Sequence, residues 1–329
     1  MKKARIIGTG SYVPEKILSN ADLEKIVDTS DEWIFTRTGM KERRIAASDE
    51  FTSDMGLSAA KEAIKSASIE AEKIDCILVA TLTPDYAFPS TAALIQKGLG
   101  LNEIPALDIQ AACTGYLYAL AQAKSHIESG LYETVLVVAS EKLSAITDYE
   151  DRNTCVLFGD GASACIVAKE GAGYEIDAVT LGCDGREAEL LYQPAGGTRK
   201  PASKETVNNR EHYIQMNGKE VFKHAVRRME SASVQALEKA GLDKAQVSWL
   251  VPHQANNRII ETLARRFDVP MERVYMTLHK YGNTSASSVG IALDELEKEH
   301  HPKTNEHILL TAFGAGLTWG ATLLTKVDG

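Results

Sequence analysis

Three residues of the kinds that share acyl chemistry stand where a strand-like run gives way to a helix. Cys113 lies in Ala111-Ala112-Cys113-Thr114-Gly115, between the strand-like Ala106–Ile109 and an amphipathic helix opening near Gly115. Unpaired N–H groups and the positive end of the dipole at a helix amino terminus stabilise a thiolate, and such sites bring a cysteine pKa to about 3.5–7.5. The small flanking residues leave room for a substrate carbonyl. His253 follows an apolar run in Val251-Pro252-His253-Gln254-Ala255-Asn256, and Asn283 opens a helix in Tyr281-Gly282-Asn283-Thr284-Ser285. Ligands of doubly wound α/β sheets collect beyond the carboxyl ends of the strands, so the three converge if two halves pack face to face. Each also has a plainer reading: a small buried hydrophobe, a satisfied structural histidine, a helix cap. Cys76 and Cys165, inside strand patterns, take the first of these. In Phe313-Gly314-Ala315-Gly316-Leu317-Thr318-Trp319-Gly320, a hairpin of small residues lets backbone N–H groups approach a reacting carbonyl.

The elements that must position these residues follow from hydrophobic period. Short β-branched runs at 74–82, 134–139, 166–168, 247–251 and 308–312 predict strands. Apolar residues at three- and four-residue steps predict helices over 55–66, 92–99, 115–128, 219–240, 257–267 and 289–299. Shifting the sequence by 173 residues superposes Ile74-Asp75-Cys76-Ile77-Leu78 on Val247-Ser248-Trp249-Leu250-Val251, and Glu133-Thr134-Val135 on Glu306-His307-Ile308. Residues 104–128 and 274–299 each read as strand, small-residue turn and helix. The chain is therefore expected to be an α/β protein of two duplicated halves, 1–172 carrying the cysteine and 173–329 carrying the histidine and asparagine. The aperiodic segment 182–209 reads as a long surface excursion over the mouth of a site.

Composition narrows the function. With 329 residues, 44% of them hydrophobic, the chain exceeds one ordinary core. Lys and Arg number 36 against 45 Asp and Glu, a net charge of −9, which disfavours coating nucleic acid or an anionic membrane. Five cysteines without a C-x-x-C pair suggest neither a disulfide framework nor a zinc site, and fit a reducing cytoplasm. Lys2, Lys3 and Arg5 precede only two apolar residues before Gly8, too few for a secretion signal. No apolar run approaches the roughly 18 residues of a membrane span. Gly8-Thr9-Gly10 lacks the third glycine of the dinucleotide fingerprint, Val13 standing in its place, which argues against nicotinamide binding.

Together, Ala112-Cys113-Thr114-Gly115, Phe158-Gly159-Asp160-Gly161-Ala162, Val251 to Asn256 and His279-Lys280-Tyr281-Gly282-Asn283-Thr284-Ser285 resemble the β-ketoacyl-[acyl-carrier-protein] synthase III family. The block from Asp28 to Gly39, with Trp33 and Arg37, is similar to that family's amino-terminal motif. The resemblance implies a thiolase-like fold, two α/β halves in a five-layer αβαβα sandwich, as a homodimer without metal or redox cofactor. It implies initiation of fatty acid synthesis: transfer of a short acyl group from CoA to Cys113, then decarboxylative condensation with malonyl-acyl carrier protein. His253 and Asn283 complete the triad, and the backbone N–H groups of Cys113 and Ala315 form an oxyanion hole. Such chemistry asks for a site with no carboxylate close by. Trp33 and Arg152 are expected to sandwich the adenine of CoA, with Thr29, Arg37 and Asn256 holding the rest. Phe88 is expected to reach across the dimer and close the partner's acyl pocket. Lys223, Gln254, Arg258, Arg265 and Arg266 are expected to dock the acidic carrier protein. Three alternatives stay open: a related acyltransferase of secondary metabolism, a cysteine thioester hydrolase, and a non-catalytic carrier-protein partner. One departure from the family's three glycines is Gly314-Ala315-Gly316, which functions if φ at Ala315 is negative.

Overall fold

The computed structural model describes residues 3–329, so Lys2 lies outside the described residues. Each run read as a strand forms one, and each helical period forms a helix: Thr52–Ala67, Thr91–Gly98, Gly115–Ser129, Gly218–Ala240, Asn257–Arg266 and Ser287–His300. The strands wind twice in the same order. Arg5–Tyr12 pairs antiparallel with Gly161–Ala168, which pairs antiparallel with Thr134–Glu141; Cys76–Ala80 and Ala106–Ile109 then follow in parallel. In the second winding Gly173–Cys183 pairs with Thr318–Val327, then His307–Gly314, then in parallel Val247–Pro252. Arg5 and Ile6 pair with Glu175 and Tyr174, so the two windings join edge to edge into one nine-stranded sheet. The strand expected after residue 274 is reduced to a single bridge, Leu250 to Val274, followed by the short helix Leu278–Tyr281.

Alternation along the strands sorts side chains into layers. On Thr134–Glu141, Val135, Val137 and Ala139 face a core that also holds Leu117 and Leu120 of one helix and Val289 and Leu293 of another. Leu136 and Val138 face the opposite way, onto Met55, Ala59 and Ala63 of Thr52–Ala67. Leu250, Leu309 and Leu323 of the second winding pack against Gly218–Ala240 and Asn257–Arg266. The result is helix, sheet, helix, sheet, helix, with the cysteine's helix and Ser287–His300 as the middle layer. Nearly all of these side chains are fully buried, each contributing about 1.5–3 kcal/mol of transfer free energy for a Val, Leu or Ile.

Arg5–Tyr12 carried no strand signal because two of its eight residues are glycines. The structure explains them: a Cβ on Gly10 collides with the backbone of Ala59 and Ala63, so the helix Thr52–Ala67 lies directly on the strand. Gly10→Ala must push that helix outward, and we expect a loss of about 1–3 kcal/mol, read from the denaturant midpoint.

Candidate active site

Cys113 sits in a single 3-10 turn, Ala112–Thr114, that leads straight into Gly115–Ser129. The turn is tight: Ala112 adopts a left-handed φ of 46°, and Thr114 donates from both its amide (3.1 Å) and its hydroxyl (2.6 Å) to Ala111 O. Thr318 clamps the turn to the hairpin of small residues. Its Oγ1 lies 2.6 Å from Thr114 Oγ1, 3.0 Å from Ala111 O and 2.9 Å from Ala315 O. A Cβ on Gly314 would stand 2.7 Å from Cys113 N, so the hairpin backbone lies against the cysteine, where only glycine fits. Ala315 is not among the positive-φ residues, and Gly316 takes that conformation instead, at 132°. The alanine is thus unstrained and keeps its N–H. Ala315→Gly should leave kcat nearly unchanged and lower stability by about 0.4–1 kcal/mol through unfolded-state entropy. Steady-state kinetics and thermal melts check both expectations.

His253 and Asn283 reach the same space. With Cys113, Phe158 and Phe313 they line a narrow cavity of about 220 Å³. His253 is buried, and desolvation holds its pKa down to about 3, so the ring is neutral. Ser288 Oγ lies 2.7 Å from His253 Nδ1 and accepts from Gln254 N at 3.4 Å. In the tautomer in which Ser288 gives its own proton to Nδ1, Nε2–H is the ring's donor. Asn283 is fixed through its backbone, which pairs with Phe158, and through Oδ1, which accepts from Ser285 N at 2.8 Å. Its amide nitrogen is left as the donor. Cys113, Phe158 and Leu191 also border a second cavity of about 660 Å³, walled by Leu82, Leu143, Ile146 and Ile214. A third, polar opening runs outward from Asn153 and Met216 to Trp33 and Arg37. Leu191 and Tyr192, within the aperiodic segment, contribute to these walls, as expected of an excursion over a mouth.

Two features depart from the sequence reading. Burial raises the Cys113 thiol to about 12, outweighing the lowering influence of the Ser285 side chain, so residue 113 is a thiol where the helix terminus alone promised a thiolate. A carboxylate is also close at hand. Glu141, at the carboxyl end of Thr134–Glu141, is fully buried, and Ser285 Oγ donates to it at 3.0 Å. The expectation of a site with no carboxylate nearby is therefore wrong. Nothing in the sequence marked Glu141 except a charged residue ending an apolar strand.

The outer residues divide. Arg152 stacks at 4.5 Å on the Trp33 ring, with Arg37 at 5.4 Å, so Trp33 and Arg152 touch each other and leave no room for a base between them. Sandwiching a base requires Arg152 to swing off the ring. Thr29 Oγ1 is buried without a hydrogen-bond partner, and Asn256 caps Asn257–Arg266 while donating to Arg37 O at 3.1 Å. Phe88 is 87% exposed and lines neither cavity at Cys113 of its own chain. Lys223, Arg258, Arg265 and Arg266 are exposed on the two outer helices. Gln254 does not belong with them. It is fully buried, its Nε2 donating to Pro252 O (2.6 Å) and its Oε1 accepting from Thr277 N (2.9 Å) and Leu278 N (3.1 Å). It braces the loop between His253 and Asn283 and cannot contact a carrier protein.

Comparison with known proteins agrees with this geometry. The family described as "3-Oxoacyl-[acyl-carrier-protein (ACP)] synthase III" matches residues 107–185, and its C-terminal counterpart matches residues 237–326. A "Beta-ketoacyl-[acyl-carrier-protein] synthase III" of Chlamydia trachomatis serovar D is 60% identical over 326 residues, covering 99% of this chain and 100% of that one. The protein of that name from Caldanaerobacter subterraneus is 52% identical over 321 residues, 98% of this chain and 97% of its own. The crystal structure of 3-oxoacyl-[acyl-carrier-protein] synthase III from Aquifex aeolicus superposes with a TM-score of 0.90 at 50% identity, over 98% of this chain and 99% of that one. A cysteine turn, a neutral histidine and an asparagine around one cavity in a five-layer α/β fold, with full-length relatives this similar, place the chain in the β-ketoacyl-[acyl-carrier-protein] synthase III family.

Proposed function

We infer that this chain condenses a short acyl-CoA, such as acetyl-CoA, with malonyl-acyl carrier protein, giving a 3-ketoacyl-acyl carrier protein, CoA and CO2. The observation that carries this reading is the meeting of Cys113, His253 and Asn283 in one narrow cavity with larger openings on either side. Cys113 attacks the acyl thioester, and the oxyanion lies against the N–H groups of Cys113 and Ala315. CoA leaves past Trp33, Arg37, Arg152, Thr29 and Asn256, and the acyl chain occupies the apolar cavity. The malonyl thioester then enters, and loss of CO2 leaves an enolate that attacks the acyl-enzyme. His253 Nε2–H and the Asn283 amide, two neutral donors held in advance, suit that enolate oxygen. Desolvation favours the same step, because the uncharged CO2 leaves a carboxylate's hydration behind. No metal or cofactor takes part in this sequence. The test is product formation from acetyl-CoA and malonyl-acyl carrier protein; release of free acid in place of a 3-ketoacyl product would point to a thioester hydrolase instead.

The same reading treats 1–172 and 173–329 as two copies of one unit, and the chain as a cytoplasmic homodimer. Leu107, 44% exposed on the edge strand Ala106–Ile109, and Phe88 at the tip of a nearby loop support a partner chain on that side. No helix among the described residues is long and apolar enough to cross a membrane. Lys223, Arg258, Arg265 and Arg266 form the basic face offered to an acidic carrier protein. Arg258→Glu should raise KM for malonyl-acyl carrier protein by about tenfold, or about 1.4 kcal/mol, and alter that for acyl-CoA much less. Kinetics with each substrate varied in turn read the difference.

A further inference from the structure

The buried carboxylate beside the triad has no part in the mechanism above. Glu141 accepts from every side: Thr83 Oγ1 at 2.6 Å and Thr83 N at 3.2 Å, Leu82 N and Thr81 Oγ1 at 3.1 Å, and Ser285 Oγ at 3.0 Å. Five donors and, among the described residues, no ion pair are the surroundings of a carboxylate that can ionise, yet pays heavily for burial. Desolvation raises its pKa to about 7. Lys142, its neighbour in sequence, gives its amine to Ala47 O (2.7 Å) and Glu50 O (2.6 Å). The titratable group that meets Glu141 through a shared hydroxyl is Cys113. Ser285 stands between them, donating to Glu141 and bordering the larger cavity together with Cys113. Ser285 is held there at φ 52°, a left-handed conformation costly for a non-glycine residue, and its amide is tied to Asn283 Oδ1.

We propose that Glu141 is a proton store for the reaction, taking the Cys113 proton through the Ser285 hydroxyl when the acyl-enzyme forms and returning it when the product leaves. The inference rests on the condensing reaction proposed above. In the first half-reaction the S–H bond breaks, its proton passes to Ser285 Oγ, and the Ser285 proton passes to Glu141 Oε1. The sulfur's electron pair forms the bond to the acyl carbon. CoA departs as a thiolate and takes a proton from water. In the second half-reaction, collapse of the tetrahedral intermediate expels the Cys113 thiolate, the proton returns along the same path, and Glu141 is again a carboxylate. The overall reaction consumes one solvent proton, as loss of CO2 from a malonyl carboxylate requires. This timing removes the conflict that a buried carboxylate otherwise creates. Glu141 is neutral while the malonyl carboxylate and the enolate occupy the site, and charged only when the thiol needs a base. In this relay Ser285 exchanges a proton with the sulfur across the shared cavity wall, and Glu141 acts through Ser285.

The test is the pH dependence of Cys113 alkylation by iodoacetamide, followed on the Cys113 peptide because Cys183 is exposed and reacts as well. Two coupled groups sharing a proton give a two-step profile: reactivity rises as the pair loses its first proton, holds level while one proton is shared, and rises again when both ionise. Wild type should show both steps. Ser285→Ala, which leaves Glu141 its other donors, and Glu141→Gln should lose the near-neutral step and keep a single alkaline rise. A merely structural role would leave the profile's shape unchanged in both variants, and that result, or a single-step profile in wild type, overturns the proposal. Difference infrared spectra of wild type need no variant: acylation should bring up a protonated carboxyl band, and its absence overturns the proposal. Failure of Cys113 to take an acyl group would instead sink the condensing reaction, which mass spectrometry of the same samples distinguishes.

Discussion

Cys113→Ser should lose acyl transfer from acyl-CoA by at least about a thousandfold while the chain still folds. The reason lies in what surrounds residue 113. Burial keeps even the sulfur a thiol, and a serine hydroxyl is a far weaker acid. Without ready ionisation the helix terminus and the oxyanion N–H groups have no nucleophile to serve. Folding is spared because the substitution removes little volume, and the new hydroxyl keeps Ser285 within hydrogen-bonding reach. The measurement is CoA release in a single turnover, with circular dichroism to confirm the fold. Normal CoA release would assign the nucleophile elsewhere.

Asn283→Ala should lose condensation by about a hundredfold to a thousandfold while acylation of Cys113 falls far less, because in the proposed mechanism the lost donor serves the enolate of the second half-reaction. The variant also strips Ser285 N of its acceptor inside the protein, which costs about 1–3 kcal/mol of stability and complicates a reading from overall activity alone. Asn283→Asp separates the effects, since it keeps the Oδ1 acceptor and loses the amide donor. Acylation and condensation should split in both variants. Equal loss of the two steps would make Asn283 a scaffold residue.

The meeting of Cys113 and His253 was legible because each stands at a strand-to-helix turn, where pattern and chemistry coincide, whereas Asn283 lies between the helices Leu278–Tyr281 and Ser287–His300. The second winding was legible through the 173-residue shift, although its last strand thinned to one bridge at Val274. What spacing could not carry were contacts made across the fold. Glu141 meets Thr81 across 60 residues and Ser285 across 144, and His253 meets Ser288 across 35. Gln254 failed as a surface residue because a polar side chain next to an exposed helix is, in three dimensions, the brace beneath it. Trp33 and Arg152 are 119 positions apart, and their stacking on one another follows only from how Asp31–Thr38 lies beside the loop after residue 147.

The central claim is a two-step exchange at one sulfur, and intact-protein mass spectrometry tests it in a single series. Incubation with acetyl-CoA should add one acetyl mass, located by peptide mapping on Cys113 and not on Cys76, Cys155, Cys165 or Cys183. Adding malonyl-acyl carrier protein should then erase that mass while the carrier protein gains a 3-ketobutyryl group in place of its malonyl group. An acetyl mass on another cysteine, or one that vanishes into free acetate while the carrier protein stays malonylated, would contradict the account.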